Sequence, residues 1–162
     1  MNAQPTWRIW PILWLLLVLQ TTLFAHLSPW GAHLDLVLLG VVSVSLLLGM
    51  ETGAIFGLVA GVLTGYCAGA SLGSFALSRL AIGAGFGLFD RQFSRDNPLA
   101  PPLCAAGATV LANALLALLS PAGFGFAWWL QHTLISAALH AVFIWPVYAL
   151  FARLLPPPRA YA

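Results

Sequence analysis

Lysine is absent from this 162-residue chain, and its whole charge is six arginines and four acids. Soluble domains carry about a quarter of their residues charged. At 6% charged and 61% hydrophobic, this chain could not cover a water-facing surface whatever its fold. Lipid is the solvent that such a composition fits. A net charge of +2 is too small to argue for nucleic acid. The only two cysteines, Cys67 and Cys104, stand far apart in apolar runs. No CxxC or metal-type spacing accompanies them, so both read as packing residues. Paired carboxylates at catalytic spacing, a phosphate loop and a nucleophile–base–orienter set are all missing. No catalytic, cofactor-binding or metal residues are therefore expected, and the chain does not read as an enzyme. A proton relay would need more buried acids than it offers.

What the chain has is hydrophobic length. A bilayer core of about 30 Å needs roughly 20 apolar residues in a helix. Six stretches qualify: Ile9–Ala25, Leu34–Leu48, Thr52–Ala68, Ser74–Phe89, Leu99–Leu119 and Ala127–Leu154. The first, led by Arg8, is longer than the apolar region of a signal peptide and reads as an uncleaved span. The runs are continuous rather than alternating, which favours helices over a β-barrel. The expected fold is all-α: one membrane domain over 1–162 with six transmembrane helices. The second and third spans are separated only by GMET, Gly49–Thr52, which predicts a tight hairpin. Pro146 lies within the last span and is expected to kink it, because proline lacks the backbone donor.

The arginines set an orientation. With an inside N terminus, the inner segments carry Arg8, Arg91, Arg95, Arg153 and Arg159. The outer segments carry none, as the positive-inside rule requires. Both termini are then cytoplasmic, in a multi-pass protein of the inner membrane. The stretch GLFDRQFSRDNP, Gly87–Pro98, holds Asp90, Arg91, Arg95 and Asp96, four of the ten charges. It becomes the largest cytoplasmic loop, a topological anchor that also offers a surface to cytoplasmic partners. Trp7, Trp10 and Trp14 fall towards the inner interface, and Trp30, Trp128 and Trp129 towards the outer one, where amphipathic rings favour headgroup level.

The third span carries glycine at every fourth position: Gly53, Gly57, Gly61, Gly65 and Gly69. Each step drifts about 40° around the helix, so the series forms a slanting groove. Small residues at this spacing let another backbone approach closely. The partner is expected within the chain, with the fourth span and its Gly83, Gly85 and Gly87 as the neighbour. A docking face for a second protein is the other reading.

Polar groups inside a membrane are costly, so each is a candidate site. Arg79 sits in the fourth span near its outer end, and Asp35 opens the second span at the same side. The two can pair in the outer leaflet; alternatively Arg79 snorkels to headgroups. Gln20 and Asn113 sit deeper and are expected to hydrogen-bond between helices. His132 and His140 lie about 80° apart around the sixth span, and a two-histidine metal site is the minor reading of that pair.

The run HLDLVLLGVVSVSLLLGMETGAIFGLVAGVLTGYCAGASLGSFAL resembles the signature region of the bacterial rod-shape-determining protein family MreD. Gln20-Thr21 match the family's element near the end of its first helix, and Asp35-Leu36 match the opening of its second. Gly53, Gly57 and Gly61 match the glycine spacing of the third, and Leu72-Gly73 the closing pair. Leu34 stands where the family usually has proline, and Gly65 where it often has aspartate. The resemblance covers about the first half of the chain, while length and span count agree throughout. It implies a non-enzymatic component of the cell-elongation machinery. Such proteins associate with MreC, and through it with MreB, RodA and RodA's transpeptidase partner. No cofactor is implied. The family's fold also looks similar to the substrate-binding subunits of energy-coupling-factor vitamin transporters, which supplies the alternative function. Those subunits usually carry spaced alanines on the first helix for docking. Here IWPILWLLLVLQTTLF is bulky throughout, which argues against that alternative.

Overall fold

The computed structural model of the chain describes residues 6–24, 33–89, 97, 99–119 and 125–155. These residues form helices and, among them, no strand. A 3₁₀ turn at Thr6–Arg8 leads into α1, Ile9–Leu19, which continues as a π-helical turn at Gln20–Phe24. The others are α2 (Leu36–Leu48), α3 (Met50–Cys67), α4 (Leu72–Phe89), α5 (Ala100–Leu119) and α6 (Phe126–Leu154). Three of them, α3, α5 and α6, are long and apolar enough to cross a membrane, and α1, α2 and α4 contribute shorter apolar helices. The charged residues Asp90, Arg91, Arg95 and Asp96 lie outside the described residues, as does Trp30.

Every residue of α2 from Leu36 to Leu46 is buried. A helix that is hydrophobic on all sides has to be covered on all sides, and α2 packs against each of the other five helices. The surrounding helices are apolar outwards too: Trp14, Leu77, Leu103 and Val142 are all exposed. Polar groups lie inside instead. The buried hydroxyls of Ser43, Ser45, Thr64 and Thr109 each donate to the carbonyl four residues earlier, at 2.7–2.8 Å. A hydroxyl satisfied within its own helix can be buried at little cost. An apolar exterior around such an interior is consistent with a membrane protein.

The α2–α3 hairpin is tighter than the sequence suggests. The reversal is made by Gly49 alone, and Met50, Glu51 and Thr52 already belong to α3. Gly49 has φ +84°, a conformation open to glycine. Its N–H caps Ser45 at 2.9 Å, and its carbonyl accepts from Gly53 at 3.0 Å. One residue thus closes α2 and opens α3. Pro146 lies inside α6, which continues through it to Leu154. At this end of the bundle Phe56 packs between Trp10 and Phe151, with ring centroids 6.0 and 6.1 Å away.

Glycine lets α3 and α4 run antiparallel with their backbones touching. A Cβ added at Gly53 would meet the carbonyl oxygen of Gly83 at 2.7 Å. One at Gly57 would meet the carbonyl of Arg79, and one at Gly61 that of Phe75 at 2.5 Å. At Gly65 the nearest atoms, in Leu72 and Phe75, stand 3.2 Å off. Gly87 and Gly83 return the contact from α4, against Met50 and Gly53. Gly69 is not part of this seam. It lies beyond α3 at φ +60° with nothing within 4 Å. Its N–H bonds to the Tyr66 carbonyl at 3.2 Å, and the N–H of Ala70 bonds to that of Gly65 at 3.1 Å. That pair of bonds is the Schellman closure, which needs a left-handed residue where Gly69 stands. Its place in the four-residue series reflects the stop of α3 rather than packing. Gly85, also expected at the α4 face, likewise has nothing within 4 Å.

Gly61→Leu should destabilise the protein by about 1–3 kcal/mol or more, since a rigid backbone stands where the side chain would go. Gly85→Ala, in the neighbouring helix with open space around it, should be neutral or slightly stabilising because alanine is the better helix former. Thermal unfolding of the two variants in detergent reads the difference. Equal behaviour would remove the close-packing account.

Candidate functional site

At 13 residues, α2 is only about 20 Å long at the α-helical rise. That is shorter than the roughly 30 Å thickness of a bilayer core. Its N terminus ends inside the bundle, at the end where α1, α3 and α5 finish and α4 and α6 begin. The space beyond it is a cavity of about 1250 Å³ lined by residues from all six helical segments.

A buried helix N terminus exposes backbone N–H groups that water cannot reach, so protein groups must accept them. Asp35 is the N-cap, and its Oδ1 accepts from the Leu38 N–H at 2.9 Å. Gln20 Oε1, from the π-helical turn after α1, accepts from the Val37 N–H at 3.0 Å. His140 Nε2, from α6, accepts from the N–H of Asp35 itself at 2.7 Å. The other ring nitrogen of His140 lies 2.7 Å from Thr109 Oγ1 on α5. Thr109 donates its own hydrogen to the Ala105 carbonyl. It can therefore only accept from His140, which places the imidazole proton on Nδ1 and the lone pair on Nε2. His140 is thus held in one neutral tautomer by its two partners. Three other elements thus converge on this end of α2.

Arg79 joins this network from α4. Its Nη2 donates to Asp35 Oδ2, and the side chains of Arg79 and Asp35 are 3% and 18% exposed. The guanidinium also stands over the Phe75 ring, 5.9 Å from its centroid. The carbonyl of Arg79 is the group that faces Gly57. The glycine seam therefore sets how deep Arg79 enters, while the charge on Asp35 sets where its side chain points. The structure brings Asp35 and Arg79 together in an ion pair inside the bundle rather than extending Arg79 to the surface.

Above the network, α5 and α6 are tied by Asn113 Nδ2, which donates to Thr133 Oγ1 at 3.2 Å. Both residues line the cavity, as do Ser136 and the aromatic rings of Phe75 and Trp128. His132 lines the same cavity but has other partners than His140: it bonds to the Trp128 carbonyl at 3.1 Å and stacks on the Trp128 ring. No group of three or more histidine, cysteine or acidic side chains gathers among the described residues. Cys104 is buried, but Cys67 is exposed at the end of α3 and lines the cavity, so packing does not account for it.

Sequence reasoning named His140 only as half of a minor two-histidine reading and left out Thr109; neither was placed in this network. A signal was available: Thr133, Ser136 and His140 fall at helical spacing on one buried stripe of an otherwise apolar helix. Thr109 and Asn113 are likewise four residues apart on α5, the first buried and the second half-buried.

Asp35→Ala and Arg79→Ala should each destabilise by about 3–5 kcal/mol, because each leaves a buried charge without its partner. The double variant should cost less than the sum of the two. His140→Phe should cost about 1–3 kcal/mol by orphaning the Asp35 N–H. Chemical unfolding of the four proteins supplies the cycle, and strict additivity at Asp35 and Arg79 would mean that the pair contributes nothing.

No protein-family model, no curated protein and no solved structure matches this chain.

Proposed function

We propose that this protein is a non-enzymatic, multi-pass component of the bacterial inner membrane. It would work in the cell-elongation complex, binding an MreC-like partner and supporting peptidoglycan synthesis and rod shape. One observation carries the reading. The residues on which the MreD resemblance rests do a common structural job. Gln20 and Asp35 cap α2, and Gly53, Gly57 and Gly61 seat α4 against α3. Leu72 opens α4 beside Gly65. Residues that hold a bundle together suit a scaffold, whose task is to present surfaces. In this reading the chain passes the membrane six times, with α2 as a short central segment, and the termini and the segment around Arg91 and Arg95 are in the cytoplasm.

The cavity favours a second reading, a substrate-binding membrane subunit of an energy-coupling-factor type transporter. Against it stands the outer face of α1, where Trp14, Leu15 and Val18 are exposed in place of a small-residue docking surface.

Purification of the tagged chain from its own host separates the two. An MreC-like protein should accompany it, and loss of the gene should round the cells. Recovery of an ATPase-driven transport module, with cell shape unchanged, would establish the second reading instead. Reporter fusions test the orientation: one active only outside the cytoplasm should be silent after residue 95 and active after residue 125. The reverse pattern would overturn the orientation.

A further inference from the structure

The guanidinium of Arg79 is underused. It carries five N–H donors in a planar fork, yet only Nη2 is engaged, by Asp35 Oδ2. Nε and Nη1 are buried and have no hydrogen-bond partner among the described residues. Leaving such donors unpaired is costly. Arg79 also lines the cavity of about 1250 Å³, and a turn of its guanidinium would bring these donors to an acceptor there.

The local charge points the same way. The carboxylate of Asp35 is shared between Arg79 and the Leu38 N–H. His140 is held neutral by its two partners. The first N–H groups of α2 are already accepted by Asp35, Gln20 and His140, so the Arg79 guanidinium is the group left to attract an anion. Gln20 also lines the cavity. Its Oε1 is engaged by Val37, and its amide N–H₂ is a further donor on a residue of the same cavity wall.

We propose that this cavity binds a molecule through a phosphate or carboxylate group held by Arg79 and Gln20 at the N terminus of α2. The cavity exceeds the about 300–1,000 Å³ of an ordinary small-molecule site. Its walls away from the network include Leu17, Leu116 and Trp128. The anion is therefore the head of a larger, partly apolar body, supplied either by a membrane lipid or by a soluble molecule. This goes beyond the scaffold reading and holds whether or not an MreC-like partner binds elsewhere.

The test measures binding and thermal unfolding of the full chain in an uncharged maltoside. The probes are inorganic phosphate, dodecyl phosphate and dodecanol. Ligands that bind only the folded state raise the unfolding temperature. Dodecyl phosphate is expected to bind and stabilise while dodecanol does not, which assigns a lipid-type source. Stabilisation by inorganic phosphate as well assigns a soluble one. Silence of both anionic probes overturns the proposal, as does dodecanol binding as tightly as dodecyl phosphate. Arg79→Lys retains the charge beside Asp35 but loses the planar fork, so the Kd of the binding probe should rise tenfold or more. Ala117→Trp fills the cavity from an exposed position on α5 and leaves every hydrogen bond of the network in place. It should weaken binding to a similar degree. Unchanged affinity in either folded variant overturns the assignment. Leu77→Trp, on the outward face of α4, should bind as the unaltered chain does.

Discussion

A helix that ends inside an apolar bundle has to find acceptors for its first N–H groups, and α2 imposes that condition on every helix around it. Outside water cannot serve, so the acceptors come from the chain. Gln20 accepts for Val37, Asp35 for Leu38 and His140 for Asp35 itself. Each acceptor sets a position in turn. The π-helical turn at Gln20–Phe24 carries Gln20 at the end of α1. Thr109 fixes the tautomer of His140, and so the register between α5 and α6. Arg79 compensates the charge that Asp35 brings to its capping role. Losing one acceptor would leave a donor stranded in a low-dielectric interior, where the cost is greatest.

The α3–α4 seam works by a different force. The outward faces are as apolar as the inward ones, so hydrophobic burial gives these helices little reason to meet if lipid is the solvent. Close backbone contact supplies the dispersion that lipid chains cannot match. The seam also reaches the polar network, because Gly57 receives the backbone of Arg79. Replacing the glycine would move the arginine as well as the helix.

The brevity of α2 links architecture to function. A full-length central helix would fill the bundle from end to end. A helix of 13 residues leaves the space that becomes the cavity, with the capping network and Arg79 in its wall. A scaffold needs neither the space nor donors on Arg79 that have no partner among the described residues. Their presence suggests that a bound molecule reports to, or stabilises, the arrangement of helices that a partner protein would recognise.

The sequence by itself determined the fold class and the number of helices. Composition left lipid as the fitting solvent, and runs broken by Gly49, by the 68–73 stretch and by the 87–98 stretch gave helix ends close to those observed. It did so because hydrophobic length and helix-breaking residues act locally. The four-residue glycine spacing was equally legible, yet it could not separate Gly61, pressed on Phe75, from Gly69, which stops the helix. Those two roles differ only in backbone conformation and neighbours. Asp35 and Arg79 stood out as charges in apolar runs, but sequence left pairing and snorkelling open. Their pairing depends on how far the α3–α4 seam draws α4 inwards. The roles of His140 and Thr109 and the cavity belong to tertiary structure alone. Each arises where the ends of several helices meet, and a side chain's partner across that meeting lies up to 105 residues away, beyond the reach of any local pattern.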